Sequence, residues 1–263
     1  MSTNNNNKDM LEFAKLIAEE AGQIALRYFR TNLNITSKSD SRFDPVTIAD
    51  QSIEKLLREK ISEKFPDHGI IGEEQGVTKG NKFTWVIDPI DGTRAFISGS
   101  PMWGILIGLT ENDKPLLGVM HQPWMKETFY ADSNSSWWAQ ESSTQQIKTR
   151  QTKSLADANL FCTHPSMFTT EKDQKLFKSV ADSCQYSRYG SDCYGYCLLS
   201  AGFVDLVIEG SLQPYDIVPL IPIIESAGGI VTDWQGKPAV EGGKIVAAAN
   251  KTLHESALSL LAS

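Results

Sequence analysis

At 263 residues, with 41% apolar and 22% charged side chains, the chain can form one large domain or two packed subdomains around a well-buried core. A formal net charge of −7 excludes a broad nucleic-acid surface, so any phosphate handled here needs a metal or local donors. No apolar run approaches the roughly 20 residues that cross a bilayer, which excludes a membrane-spanning helix.

The opening Met1-Ser-Thr-Asn-Asn-Asn-Asn-Lys is polar, lacks the apolar stretch of a leader, and is expected to fray. Residues 10–29 predict an amphipathic helix, with Phe13, Ile17, Ala21, Ile24 and Tyr28 at helical spacing. Residues 31–43 carry no pattern and read as a loop. A second helix over 47–65 has Ile53, Leu56, Leu57 and Ile61 on one face and Pro66 just past its end. Ile70-Ile71 predicts a short strand that delivers Glu73 and Glu74. The apolar run from Trp85 predicts a strand ending at Asp88, and Thr93 opens a short helix that closes at Ser98-Gly99. Segments 102–110 and 114–121 predict a hairpin turned by Glu111-Asn-Asp113. Strands at 128–131, 136–139 and 146–149 continue an antiparallel meander.

From about residue 151 the rhythm changes to strands alternating with helices. The expected order is strand 159–164, helix 171–183, strand 185–189, helix 192–201 and strand 204–209. A helix from Asp216 to Gly228-Gly229, strands 230–234 and 245–249, and a last helix to Leu261 follow. The expectation is a layered α/β protein: an N-terminal α+β half over 1–150 and a C-terminal α/β half over 151–263 that meet over a cleft. The four cysteines form no CxxC pair, and Cys193 and Cys197 lie four apart in a predicted helix, which suits packing in a reducing, cytoplasmic setting.

Five carboxylates end predicted strands or open predicted helices: Asp50, Glu73, Asp88, Asp91 and Asp216. A single Asp at such a place is ordinarily a cap or a turn residue. Five of them, two tied to a Gly92-Thr93 helix start, point instead to a shared cleft holding a divalent cation and an anion. Oxygen-only donors favour Mg²⁺, or Mn²⁺, over zinc. The four histidines are scattered without ligand spacing, and His68, beside a turn, reads as solvated. Two or three metals bridged by Glu73, Asp88 and Asp91 would clamp a phosphate ester and activate a water. The Ile90 carbonyl would join the ligands while its side chain faces the core. Asp216 reads as a helix N-cap whose free oxygen can also bind metal. Pro219 is tolerable in a first turn, whereas Pro222 should bend the helix. Nothing resembles an activated nucleophile: there is no GxSxG elbow and no Asp in a phospho-aspartate context.

Gly72-Glu73-Glu74, Asp88-Pro-Ile-Asp-Gly-Thr93 and Asp216 before Ala227-Gly-Gly together resemble the inositol monophosphatase superfamily, as does Asp44-Pro-Val-Thr-Ile-Ala-Asp50. The resemblance covers roughly residues 10–260. It implies a layered αβαβα fold, Mg²⁺-dependent phosphomonoester hydrolysis with two or three ions per site, lithium inhibition and a homodimer. It further implies metal ligation by Glu73, Asp88, the Ile90 carbonyl, Asp91 and Asp216. Glu73 and Thr93 would position the attacking water, Gly92 and Thr93 amides would hold phosphate, and Asp50 would stand at the periphery near a third metal.

After the Gly-Thr, inositol-type members usually continue Thr-Asn-Phe, whereas this chain has Arg94-Ala-Phe96. With Ser98-Gly-Ser-Pro-Met-Trp-Gly104, Gly190-Ser-Asp-Cys-Tyr-Gly-Tyr196 and Leu212-Gln-Pro-Tyr-Asp216, this resembles the histidinol-phosphate phosphatase branch of histidine biosynthesis. Ser191 departs from the Gly-Gly-Asp-Cys-Tyr common there. The implied substrate is a small phosphate monoester with cationic groups, contacted by Asp91, Asp192, Glu209 and Arg94. Arg94 either covers the ester oxygens or forms a surface ion pair, and Asp192 either meets the ligand or caps its helix. The rivals are the same chemistry on inositol phosphate or a 3′-phosphonucleotide, and a non-catalytic metal-binding regulator. Such regulators usually lose ligands, and no expected carboxylate is missing here.

Overall fold

The computed structural model describes residues 2–32, 36–37 and 45–262; most of the loop expected over 31–43, and Asp44 of the helix-opening motif, lie outside the described residues. Helix α1 (Ser2–Tyr28) begins well before the expected start, so its first turns take in the polar residues from Ser2 on. From Met10 on it buries Met10, Ala14, Ile17, Ala21 and Ala25, a three-to-four spacing that turns one stripe inward. The two-residue strands β1 (Thr36–Ser37) and β2 (Pro45–Val46) pair with each other. Helix α2 (Ile48–Lys64) starts at a Thr47 cap: Ala49 N–H donates to Thr47 Oγ1 at 3.1 Å, and Thr47 N–H donates to Asp50 Oδ2 at 2.8 Å.

The first sheet holds β3 (Gly69–Gly72), β4 (Gly76–Thr78), β5 (Phe83–Asp91), β6 (Gly104–Glu111), β7 (Lys114–Gln122), β8 (Glu127–Ala131), β9 (Ser136–Gln140) and β10 (Ser143–Gln146). Their order is β10-β9-β8-β7-β6-β5-β3-β4, antiparallel except for the β3–β5 pair. Strand β10 ends where the meander's last strand was expected to begin. Ile147 and Thr149, which supplied the alternation, instead donate their N–H groups to Ser136 and Ala227 carbonyls outside any ladder. Helix α3 (Thr93–Ile97) follows β5 directly.

The second sheet has the order β12-β11-β13-β15-β14, from β11 (Asn159–Cys162), β12 (Tyr186–Tyr189), β13 (Leu206–Leu212), β14 (Ile230–Asp233) and β15 (Gly243–Ala248). Helices α4 (Glu171–Ser183) and α8 (Lys251–Leu261) cover its outer face. Helices α5 (Asp192–Ser200), α6 (Pro214–Ile217) and α7 (Leu220–Ser226) fill the space between the sheets, and α1 with α2 covers the far side of the first. The result is a mixed α/β fold in five layers, αβαβα, with three apolar clusters between them.

The helix expected to run from Asp216 to Gly228 is two helices. Pro222 does not bend it: Pro222 sits in the first turn of α7, where a missing N–H costs no intrahelical bond, and the break falls at Val218-Pro219 instead. The break nests against the first sheet at a glycine pair, Gly108 and Gly118, that face each other on β6 and β7. A Cβ on Gly118 would stand 1.8 Å from the Pro219 carbonyl oxygen, and one on Gly108 would stand 3.0 Å from Pro219 Cα. Only glycine allows this approach, which sets α6, and with it Asp216, against the end of β5.

The cysteines are free, and Cys193 and Cys197 are buried packing residues of α5. His68 is not solvated: its ring stacks on Phe65 at 4.7 Å and accepts from Trp85 Nε1 at 3.1 Å. No helix among the described residues is long and apolar enough to cross a membrane.

Candidate active site

Residues three apart on a regular strand face opposite sides. Asp88 and Asp91 nevertheless meet in one cleft, because β5 carries a bulge between them. Asp88 pairs with Leu106 and Asp91 with Gly104, so β5 spends one residue more than β6 over this stretch. Pro89, which has no N–H to give a ladder, lies inside the bulge. Ile90 drives its side chain into the core, donates its N–H to Asp88 Oδ1 at 3.0 Å, and receives the Thr93 hydroxyl on its carbonyl at 3.1 Å. Gly92 then takes φ +83°, and a Cβ there would press within 2.8 Å of the Met102 carbonyl oxygen.

Asp216 reaches the cluster from the other side. It is not the N-cap of its helix: Gln213 is, and Asp216, three residues on, accepts the Gln213 N–H at 2.7 Å. Carboxylate oxygens of Asp88, Asp91 and Asp216 lie within 4.8 Å of one another. Burial, then the charges of Glu73, Asp91 and Asp216, hold Asp88 well above the usual carboxylate range; Glu73 and Asp88 also share a side-chain hydrogen bond. Burial and then Asp91 do the same to Asp216. Burial raises Asp91 too, opposed by hydrogen bonds from Cys193, whose N–H donates to Asp91 Oδ2 at 2.7 Å. Crowded, buried, mutually repelling oxygens form a donor set that suits a hard divalent cation, whose charge would relieve the repulsion.

The cleft around them encloses about 810 Å³, and Glu73, Ile90, Gly92, Thr93, Arg94, Asp192 and Glu209 also line it. Glu73 follows directly on β3. Asp192 does not cap α5, since Ser191 holds that position, though without a side-chain cap bond; Asp192 is the first helical residue, at φ +44°. Its N–H donates to Thr163 Oγ1 at 3.1 Å. Burial, then Asp91 and Glu209, push its carboxyl up to about 8, and Arg94 pulls it back. Glu209, 2% exposed, accepts Thr163 N–H at 2.8 Å and the Tyr196 hydroxyl at 3.1 Å, and burial is the main cause that lifts it to about 7. Asp50 is apart from the other predicted residues. It does not line the cleft, and its Oδ2 is taken up by the Thr47 N–H and hydroxyl in the α2 cap.

Sequence reasoning missed Thr163, Tyr196 and the Cys193 amide, the groups that orient Glu209, Asp192 and Asp91. Thr163 left a signal as a polar residue near the end of a predicted strand, and Cys193 and Tyr196 stood in the Gly190–Tyr196 motif without a role. Tyr196 and Cys193 meet their partners only through long-range packing.

Fold and site together define a layered α/β protein whose carboxylate cleft suits a divalent cation and a small anionic ester. The chain belongs to the inositol monophosphatase family, whose model matches residues 6–263, and it is a phosphatase of that generally metal-dependent family. It is 39% identical over 257 residues to the bifunctional phosphatase IMPL2, chloroplastic, of Arabidopsis thaliana, covering 93% of this chain and 72% of that one. It is 33% identical to the histidinol-phosphatase of Chlorobaculum parvum, over 95% and 96% of the two chains. Among solved structures, an inositol monophosphatase from Zymomonas mobilis superposes with a TM-score of 0.87 at 37% identity, covering 97% of this chain and 98% of that one.

Proposed function

We propose that the protein is a Mg²⁺-dependent histidinol-phosphate phosphatase. The observation that carries this reading is a second acidic pair in the cleft, Asp192 and Glu209, set beside the metal-type cluster and separate from it. An ester with an ammonium and an imidazole gains charge-assisted hydrogen bonds from such a pair, whereas a neutral polyol gains less. The histidinol-phosphatase relative supports the same direction, and the inositol monophosphatase neighbour keeps the polyol ester as the rival.

Glu73, Asp88, the Ile90 carbonyl, Asp91 and Asp216 would hold the metal. Bound Mg²⁺ would supply Lewis-acid neutralisation of the phosphate and a water of lowered pKa. Thr93 and Glu73 would orient that water, and the Gly92 and Thr93 amides would fix the phosphate oxygens. Arg94, exposed on the rim and close enough to act on Asp192, would meet the ester's outer oxygens. Asp50 would act at most from the periphery. Asp192→Asn tests the substrate assignment. The variant should lose kcat/KM on histidinol phosphate by about tenfold or more while changing little on inositol 1-phosphate. An equal loss on both esters would remove the argument from charge.

A further inference from the structure

Helix α2 faces the cleft indirectly, through an ion pair that no ligand contact explains. Glu54 is fully buried and Arg58, one turn on, is 12% exposed; Arg58 Nε donates to Glu54 Oε1 at 2.7 Å. An ion pair this deep loses hydration that its own attraction only partly offsets, so its other bonds decide what it is for. All of them run to one hairpin, β3–β4. Glu54 Oε2 accepts the Glu74 N–H at 2.6 Å and Oε1 the Gln75 N–H at 2.9 Å. Arg58 donates through Nη1 to Thr78 Oγ1 at 3.1 Å and through Nη2 to the Gly76 carbonyl. Thus the β3–β4 turn and the strand that follows it, from Glu74 to Thr78, are gripped at four points by two side chains of one helix.

Gly72 completes the grip. A Cβ at this position would stand 2.4 Å from Glu54 Oε1 and 2.8 Å from Arg58 Nη2. The glycine of Gly72-Glu73-Glu74 is therefore the space that the buried pair occupies. Glu73 sits between this glycine and the clamped Glu74 amide, so its backbone is fixed on both sides while its side chain lines the cleft.

We infer that Glu54 and Arg58 are positioning residues for Glu73: they act through the turn and set how well Glu73 joins the metal ligands. The inference rests on the reading of Glu73 as a ligand. Outer partners that orient a ligand typically alter metal affinity by about ten- to a hundredfold. The test is Mn²⁺ binding to the full chain by calorimetry, with urea unfolding of the same samples. Glu54→Gln keeps the shape but offers a single acceptor oxygen to the two amides and loses the charge. It should bind Mn²⁺ about tenfold more weakly and lower kcat more than it raises KM. Arg58→Lys, which keeps the charge but not the fork that reaches Gly76 and Thr78, should fall in the same direction and serves where Glu54→Gln does not fold. A folded variant with a lowered urea midpoint and unchanged Mn²⁺ affinity would make the pair merely structural and overturn the inference. Glu73→Gln is measured beside them. If it loses Mn²⁺ affinity while the other two do not, the positioning role alone fails; if it binds Mn²⁺ normally, the ligand reading fails and takes the positioning role with it.

Discussion

Glu209→Gln is a perturbation whose sign and size can be worked from the cleft. The carboxyl sits at about 7 against an ordinary 4.5, raised by burial and by Asp91 against the opposing bonds from Thr163 and Tyr196. The folded state therefore holds this proton more tightly than the unfolded chain does. The stabilisation that follows is fully present below about pH 4.5 and is lost as pH rises through about 7. The difference corresponds to roughly 3 kcal/mol across the window. Glutamine preserves the acceptor toward Thr163 and cannot titrate. Metal-free protein in a chelating buffer, unfolded in urea at about pH 5 and again at about pH 8.5, gives the two stabilities needed. The stability of the variant relative to the unaltered protein should move by roughly 3 kcal/mol in its favour from the lower to the higher pH. A difference that stays the same at both would refute the electrostatic account of this side of the cleft.

Asp88→Asn removes one of three crowded carboxylates; phosphate release should fall by about two orders of magnitude or more, while unfolding without metal at about pH 8 shows a more stable protein. Because burial raises Asp91, and burial with neighbouring charges raises Asp88 and Asp216, protons compete with the cation, so Mg²⁺ half-saturation should rise as pH falls. Gly118→Ala, aimed at the 1.8 Å gap to the Pro219 carbonyl, should lower stability by about 1–3 kcal/mol or more, read from the urea midpoint. Asp205→Ala strips acceptors from Arg150, Thr152 and the Asn159 amide, none of which lines the cleft. It should cost about 3–5 kcal/mol of stability and leave kcat of the folded enzyme intact.

The local patterns were legible where one period governed a segment. The α2 cap, the β6–β7 hairpin and α4 follow from spacing and cap residues. The facing of Asp88 and Asp91 was not, because a strand of period two separates them and only the bulge against β6 reunites them. The role of Asp216 was half legible: its motif marked it, but Gln213 as the cap depends on where the chain enters α6. The helix break at Pro219 required knowledge of the glycine pair across the sheet, and His68 required its aromatic neighbours. The bonds that tune Asp91 and Glu209 span 102 and 46 residues of sequence, distances at which no periodicity speaks.

The most direct measurement is phosphate release by the unaltered protein from L-histidinol phosphate and from inositol 1-phosphate, side by side, with Mg²⁺ and after chelation. The account predicts Mg²⁺-dependent turnover with kcat/KM higher on histidinol phosphate by about tenfold or more. A preference of that size for inositol 1-phosphate, or release that survives chelation, would contradict it.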